Sequence, residues 1–418
     1  MRALAIIDGE HYPPVVRDAL ADLRYEVVGA WLAGGTEKLR GGEDYGVPVV
    51  DDLEASIAEL EPEVVLDLSD EPVLGPRERF RLASRVLALG VPYVGPDFRF
   101  DPPRYASLDH PSLAVIGTGK RVGKTAVTGH VTRLLARDRD VVVGAMGRGG
   151  PPEPEVAEVP PTLGRLLELS REGRHAASDY LETAALAGVP TIGCRRCGGG
   201  LAGSPGESNV LAGAALALEL EPELVIFDGS GAAIPPLEVG ARVLVTSASQ
   251  PPEVAAGYLN AYRILVSDLV IVTGGVDDRL IGAIREVKDL PIVPVELRPR
   301  PVEPVVGRRV AYFSTAPAYA HEAIEQHLRS EQGADVALVS GNLARREALR
   351  EDVARADAEV FLVEIKAAAI DVVAEAALER GVEVVFADNE LVPAGVLDLD
   401  TELVRLADEA IAREAVAQ

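Results

Sequence analysis

Residues 117–125 read Gly-Thr-Gly-Lys-Arg-Val-Gly-Lys-Thr, a spacing suited to holding phosphate. Glycines let backbone N–H groups turn inward around an anion. A lysine neutralises its charge, and a threonine hydroxyl reaches a Mg2+ ion carried with it. The chain has five lysines, Lys38, Lys120, Lys124, Lys288 and Lys366, and two of them fall in this stretch. Its other positive charge is arginine, so the compact ammonium stands where a terminal phosphate needs a point charge. The expected nucleotide ligands are Gly117, Thr118, Gly119, Lys120, Val122, Gly123, Lys124 and Thr125, with the Thr125 hydroxyl turned toward the metal.

The strict pattern Gly-x4-Gly-Lys-Ser/Thr would place glycine at position 118, where Thr118 stands, so the interval is one residue longer. This variant is similar to the loop of dethiobiotin synthetase and its relatives, a branch that includes ATP-dependent ligases and GTPases. The signature lysine of that branch would fall at Gly119, and Lys120 is displaced from it by one. The loop implies nucleotide binding and leaves the reaction open.

Other residues could complete such a site. The apolar run 224–227 ends in Asp228-Gly229-Ser230-Gly231, so Asp228 is either a Mg2+ partner or the cap of the next turn. Arg148 lies among glycines in Met146-Gly147-Arg148-Gly149-Gly150, as a phosphate clamp or a bare surface loop; Glu153 and Glu155 follow as possible helpers of the metal. In Gly193-Cys194-Arg195-Arg196-Cys197-Gly198-Gly199-Gly200, a paired-arginine, glycine-rich loop, two guanidinium forks match a phosphorylated or carboxylated substrate. The cysteines there are a redox pair, half of a metal site, or packing. His11, in Asp8-Gly9-Glu10-His11, binds substrate or moves a proton, unless it is a turn histidine. Lys366 is a substrate candidate or the partner of Glu364. The stretch Thr273-Gly274-Gly275-Val276-Asp277, after a late strand, is a candidate for contact with the base.

The elements that must position these groups read as α/β throughout. Residues 112–116 and 126–135 give a strand and a helix on either side of the phosphate loop. Unbroken apolar runs at 141–145, 224–227, 242–246, 269–273 and 292–295 predict a parallel sheet covered on both faces. Residues 3–7, 26–31, 47–50, 64–67 and 93–94 predict strands ahead of it, with helices at 14–23 and 77–89. Residues 310–313, 336–339, 360–363 and 384–386 predict strands after it. Stretches rich in proline, 95–111 and 298–304, separate the three. The expectation is a central P-loop NTPase-type parallel-sheet domain at 109–304, flanked by N- and C-terminal α/β units at 1–108 and 305–418.

Composition narrows the class. With 418 residues, 48% of them hydrophobic, the chain can bury several cores; its net charge of −25 argues against a nucleic-acid surface. No segment reaches the roughly 18 apolar residues of a membrane span. The apolar run at 3–7 meets Asp8-Gly9-Glu10 at once, as a strand would and a signal peptide would not. The cytoplasm is expected.

Taken together, Ile7 to Pro14, Gly117 to Thr125, Met146 to Pro154, Gly193 to Gly200 and Glu364 to Ala369 resemble the cyclic 2,3-diphosphoglycerate synthetase family. That resemblance implies an ATP- and Mg2+-dependent ligase that closes an intramolecular phosphoanhydride in 2,3-bisphosphoglycerate, releasing ADP and phosphate. It implies that Lys124, Lys120, Arg121 and Arg148 serve the reaction and that Thr125 and Asp228 face Mg2+. Arg148, Arg195, Arg196, His11 and Lys366 would contact substrate, in a homo-oligomer expected to be a dimer. Two rivals share the loop: a ligase that activates a carboxylate, and a nucleotide-dependent binding or switch protein.

Overall fold

The computed structural model describes residues 1–174, 178–365 and 370–417. Its N-terminal sheet runs Val49–Val50, Glu26–Leu32, Arg2–Ile7, Val64–Asp67, Tyr93–Val94 and Arg99–Phe100 from edge to edge. All pairs are parallel except the last. Helices Pro13–Ala21, Leu53–Leu60 and Pro76–Ala88 make the crossovers. The strand order reverses between Arg2–Ile7 and Val64–Asp67, which opens a crevice at their carboxyl ends.

The second sheet has 13 strands. Thr191–Cys197, Val141–Gly147, Leu224–Asp228, Ser112–Gly117, Ala241–Ser247, Leu269–Thr273 and Ile292–Pro301 lie side by side and parallel. Every residue of Ser112–Gly117 and of Leu224–Asp228 is buried, as unbroken apolar runs require when helices cover both faces.

The proline-rich stretch after residue 297 is not a break in this sheet. Strand Ile292–Pro301 continues through it and pairs antiparallel with Glu383–Pro393, longer than the expected 384–386. The N–H of Val302 donates to Phe386, so even-numbered N–H groups face that partner and odd ones face away. Pro299 and Pro301 therefore lack N–H groups only on the edge beyond Leu269–Thr273, whose pairing ends at Val295. Val360–Glu364, Arg309–Phe313 and Asp335–Ser340 then extend the sheet in parallel.

Helix packing also ties the outer units to the middle one. Helix Leu399–Ala417 lies back on the phosphate-loop strand, where Leu399, Leu403, Leu406, Ala407 and Ala410 share a core with Val115 and Val243. Gly240 makes room for it: a Cβ there would lie 2.5 Å from that of Ala410. Helix Pro76–Ala88 packs on helix Asn260–Leu265; Phe80 meets Tyr258 edge-on at 5.3 Å, and Arg81 bonds Glu286 at 2.6 Å. Among the described residues no helix is long and apolar enough to cross a membrane.

Candidate nucleotide and phosphate site

Strand Ser112–Gly117 delivers the loop to the middle of the large sheet, and helix Lys124–Leu135 leaves it. Gly123 sits at φ +83°, and a Cβ on it would lie 2.8 Å from Cγ2 of Thr273. The Thr273 hydroxyl donates to the Val122 carbonyl at 2.9 Å, so this residue braces the underside of the loop instead of reaching for a base. Val122 itself is a core residue. Thr118 explains the longer spacing. Its N–H bonds Val245 at 3.0 Å, and its hydroxyl donates to Gln250 Oε1 at 2.6 Å, with Thr246 Oγ1 at 3.0 Å. A glycine there would lose the side-chain ties that fasten the loop to the neighbouring strand. Gly119 stands beside Gln250, Lys120 and Arg121 are exposed on the crest, and Arg121 takes the left-handed φ of +62°.

Lys124 and Asp228 form a buried ion pair, and Thr128 Oγ1 donates to the same carboxylate oxygen at 3.0 Å. Burial raises the Asp228 pKa and outweighs the pull of Lys124; the charge of Asp179 adds to the rise. Asp179 opens the helix Asp179–Ala187 and lies against the end of a neighbouring strand, where a Cβ on Gly147 would come 2.9 Å from its Oδ2. Thr125 stands half-buried one residue after Lys124. The Thr125 hydroxyl and the Asp228 carboxylate are hard oxygen donors, and a carboxylate short of solvation is one that a divalent cation would relieve. These donors fit Mg2+.

The two arginines of residues 193–200 part company. The segment is the end of strand Thr191–Cys197, and successive side chains of a strand point to opposite faces. Arg196 is buried and Arg195 exposed. Arg196 donates through Nη1 to Gly198 O and through Nη2 to Ser230 O at 2.7 Å; its buried Nε has no hydrogen-bond partner among the described residues. Burial and then the nearby Arg148 push its pKa down. A Cβ on Gly231 would meet Lys120 Cγ at 3.5 Å and Arg196 Nη2 at 3.6 Å. Lys120 and Arg196 thus meet beside the loop that follows Asp228, Arg148 lies near enough to Arg196 to repel its charge, and Arg195 faces away.

The cysteines separate by the same alternation. Cys194 is buried with its pKa pushed up to about 12 by burial, and its Sγ fills the space a Cβ on Gly213 would need. Cys197 is exposed on the other face, so packing is the reading that holds for Cys194. Glu155 is engaged away from the metal donors, by Arg174 at 2.9 Å and by the Tyr180 hydroxyl at 3.1 Å.

His11 lies in the crevice of the N-terminal sheet. Its Nδ1 is 2.7 Å from Asp8 Oδ1 and its Nε2 is 3.9 Å from Asp70, and the hydrogen bond to Asp8, then its charge, raises the His11 pKa. Beneath it Asp67 accepts from Ser69 at 2.5 Å and Tyr93 at 2.7 Å, and Arg79 Nε lies 3.0 Å away. Lys366 lies outside the described residues. Gln250 and Asp179 were missed in sequence. Gln250 follows a parallel strand at its carboxyl end, a usable signal; Asp179 carried none.

Comparison with known proteins completes the description. Three family models match along the chain: "Cyclic 2,3-diphosphoglycerate synthetase, N-terminal domain" at residues 2–101, "Cyclic 2,3-diphosphoglycerate synthetase, P-loop domain" at 112–289, and "Cyclic 2,3-diphosphoglycerate synthetase C-terminal domain" at 301–390. A cyclic 2,3-diphosphoglycerate synthetase of Rubrobacter xylanophilus is 52% identical over 438 residues, covering 97% of each chain. One from Thermococcus kodakarensis is 41% identical, covering 99% of this chain and 100% of its own. The crystal structure of LpxK from Aquifex aeolicus with ATP is 15% identical at a TM-score of 0.44, covering 74% of this chain and 90% of that one.

Proposed function

The chain belongs to the cyclic 2,3-diphosphoglycerate synthetase family, and on that premise we propose that it uses ATP and Mg2+ to close the phosphoanhydride ring of 2,3-bisphosphoglycerate. The γ-phosphoryl of ATP passes to one substrate phosphate, breaking the bond to ADP. An oxygen of the other phosphate then attacks the inner phosphorus of that new diphosphate. Inorganic phosphate leaves and the ring closes, so ATP and 2,3-bisphosphoglycerate give ADP, phosphate and the cyclic product.

The observation that carries this reading is the approach of Lys120 and Arg196 beside Gly231, three residues after the Asp228 that pairs with Lys124. Holding two phosphate dianions within bonding distance is repulsive, and cations brought beside both groups oppose that repulsion. Lys124 follows the terminal phosphates of ATP, and the inward N–H groups of residues 119–124 bind their oxygens. Arg196 and Lys120 hold the acceptor phosphate. Thr125 and Asp228 would hold Mg2+, which when bound offsets charge on the transferring phosphoryl group. The substrate is a small anion, and the protein works in the cytoplasm as a homodimer.

Phosphorus NMR of a mixture with ATP, Mg2+ and 2,3-bisphosphoglycerate tests the reaction. Upfield diphosphate resonances of the ring, appearing with equimolar ADP and phosphate, are expected. ATP consumed on a carboxylic acid with no such resonance would move the chain to the carboxylate-activating ligases.

A further inference from the structure

Arg263 is among the largest of the fully buried side chains, 2% exposed, and among the described residues none of its hydrogen-bond partners is a carboxylate. Its guanidinium reaches oxygens on three separate segments. Nε and Nη2 both donate to the Ala232 carbonyl, at 3.0 and 2.6 Å. Nη1 donates to the Leu201 carbonyl at 3.0 Å, and to Leu259 O and Asn260 Oδ1 on its own helix. Burial draws its pKa down to about 10, and the group stays charged at neutral pH. Burying a charge without a counter-ion is costly, and an apolar side chain would fill such a space more stably. What the guanidinium does there is satisfy carbonyls of two loops and its own helix at once.

The two loops it joins are the ones that aim Arg196. Ala232 follows Gly231 and Ser230, and the Ser230 carbonyl receives Nη2 of Arg196. Leu201 follows Gly198 to Gly200, and the Gly198 carbonyl receives Nη1 of Arg196. Both loops are rich in glycine, with Gly198 at φ +73°, Gly203 at φ +99° and Gly231 at φ +59°, so their own backbones resist displacement weakly. The backbone bond from Ile234 N to Gly203 O at 2.8 Å is a further tie between them. With its two carbonyl partners fixed, the Arg196 guanidinium is held beside Gly231, its Nη2 3.6 Å from where a Cβ there would stand.

We propose that Arg263 is a positioning residue: it clamps the loops 198–203 and 229–233 together and thereby sets the Arg196 guanidinium against the acceptor phosphate. It acts without touching substrate. Only a planar fork can take carbonyls from two loops and its own helix at once; a lysine ammonium of similar charge cannot match that plane. The inference rests on the reading of Arg196 as a ligand of the substrate phosphate.

The test is equilibrium binding of 2,3-bisphosphoglycerate and of ATP, measured separately on wild type, Arg263→Lys and Arg263→Gln, with the same changes repeated on an Arg196→Ala background. Binding of 2,3-bisphosphoglycerate should weaken about tenfold in both single variants, while ATP affinity changes less than about twofold, because Thr118, Val122 and Gly123 are braced by other elements. On the Arg196→Ala background the same changes should cost almost nothing more. Equal losses for both ligands, or full additivity with Arg196→Ala, would overturn the proposal and leave Arg263 as a core residue. Should Arg263→Gln not fold, Arg263→Lys keeps the charge and the test. A wild-type protein that does not bind 2,3-bisphosphoglycerate refutes the substrate reading instead, and the two failures are distinct.

Discussion

Asp8 and Asp228 occupy equivalent places in two sheets, at the carboxyl end of a parallel strand beside a strand-order crevice or a phosphate loop, yet their chemistry diverges. Burial alone would raise the Asp8 carboxyl, but His11 and the N–H groups of Asp70 and Glu10 outweigh it and hold its pKa below the ordinary value. Asp228 is buried completely enough that Lys124 and Thr128 do not make up the loss of water, and its pKa rises. The first carboxylate has its charge answered from within the unit. The second shares a lysine that ATP would also claim, and that is the difference between a finished turn and a working site.

The hardest blow to this contrast is Lys124→Ala. ATP turnover should fall about a thousandfold or more. The fold should survive, because the Asp228 carboxylate keeps its Thr128 hydrogen bond and the apolar core around the loop is untouched; circular dichroism beside an ADP-release assay checks both. Turnover at the wild-type rate would remove the phosphate loop from the mechanism. Asp228→Asn comes next. It strands the Lys124 ammonium and should lower the unfolding free energy of the nucleotide-free protein by about 2 kcal/mol in urea melts, with most of that regained in Asp228→Asn/Lys124→Met. No recovery in the double variant would mean the pair is not coupled.

A smaller effect separates neighbours. Arg196→Lys should raise KM for 2,3-bisphosphoglycerate about tenfold, and Arg195→Lys by less than about threefold. Equal changes would show that strand alternation does not sort this pair. The smallest belongs to the N-terminal crevice. The raised His11 pKa means its contribution to stability is full below about pH 6.5 and is lost as pH rises through the folded-state value. His11→Ala should therefore lower the melting temperature more at about pH 6 than at about pH 9. With its ring half in water the loss stays small, and a loss that grows with pH would reverse the assignment. Asp8, shifted the other way, contributes above about pH 4 and loses that contribution as pH falls through its lowered pKa.

Much of this was readable in the chain. Apolar runs gave the central strands because a sheet covered on both faces leaves no polar alternation to misread. The phosphate loop, Lys124 and the strand ending in Asp228 were legible for the same local reason. The failures were non-local. Proline at 299 and 301 reads as a break unless the orientation of each N–H is known, and that depends on a partner strand some ninety residues later. Arg195 and Arg196 look like one cationic pair until alternation sends them to opposite faces. Thr273 resembled a base contact because nothing nearby in sequence shows that it faces the loop from below. Asp179 and Arg263 gain their meaning only from segments brought to them by the fold.

Helix Leu399–Ala417 covers the very strand that carries the phosphate loop, although the ribosome makes it long after that strand. Without it, Val115, Val243 and their neighbours would have a face open to solvent, and the nucleotide unit should be prone to aggregate. Maturation of the pocket is therefore tied to arrival of the last helix, and a nascent chain stopped before Leu399 should neither retain ATP nor resist protease. The same placement gives quality control a simple reading: a chain that holds nucleotide has been translated through that helix.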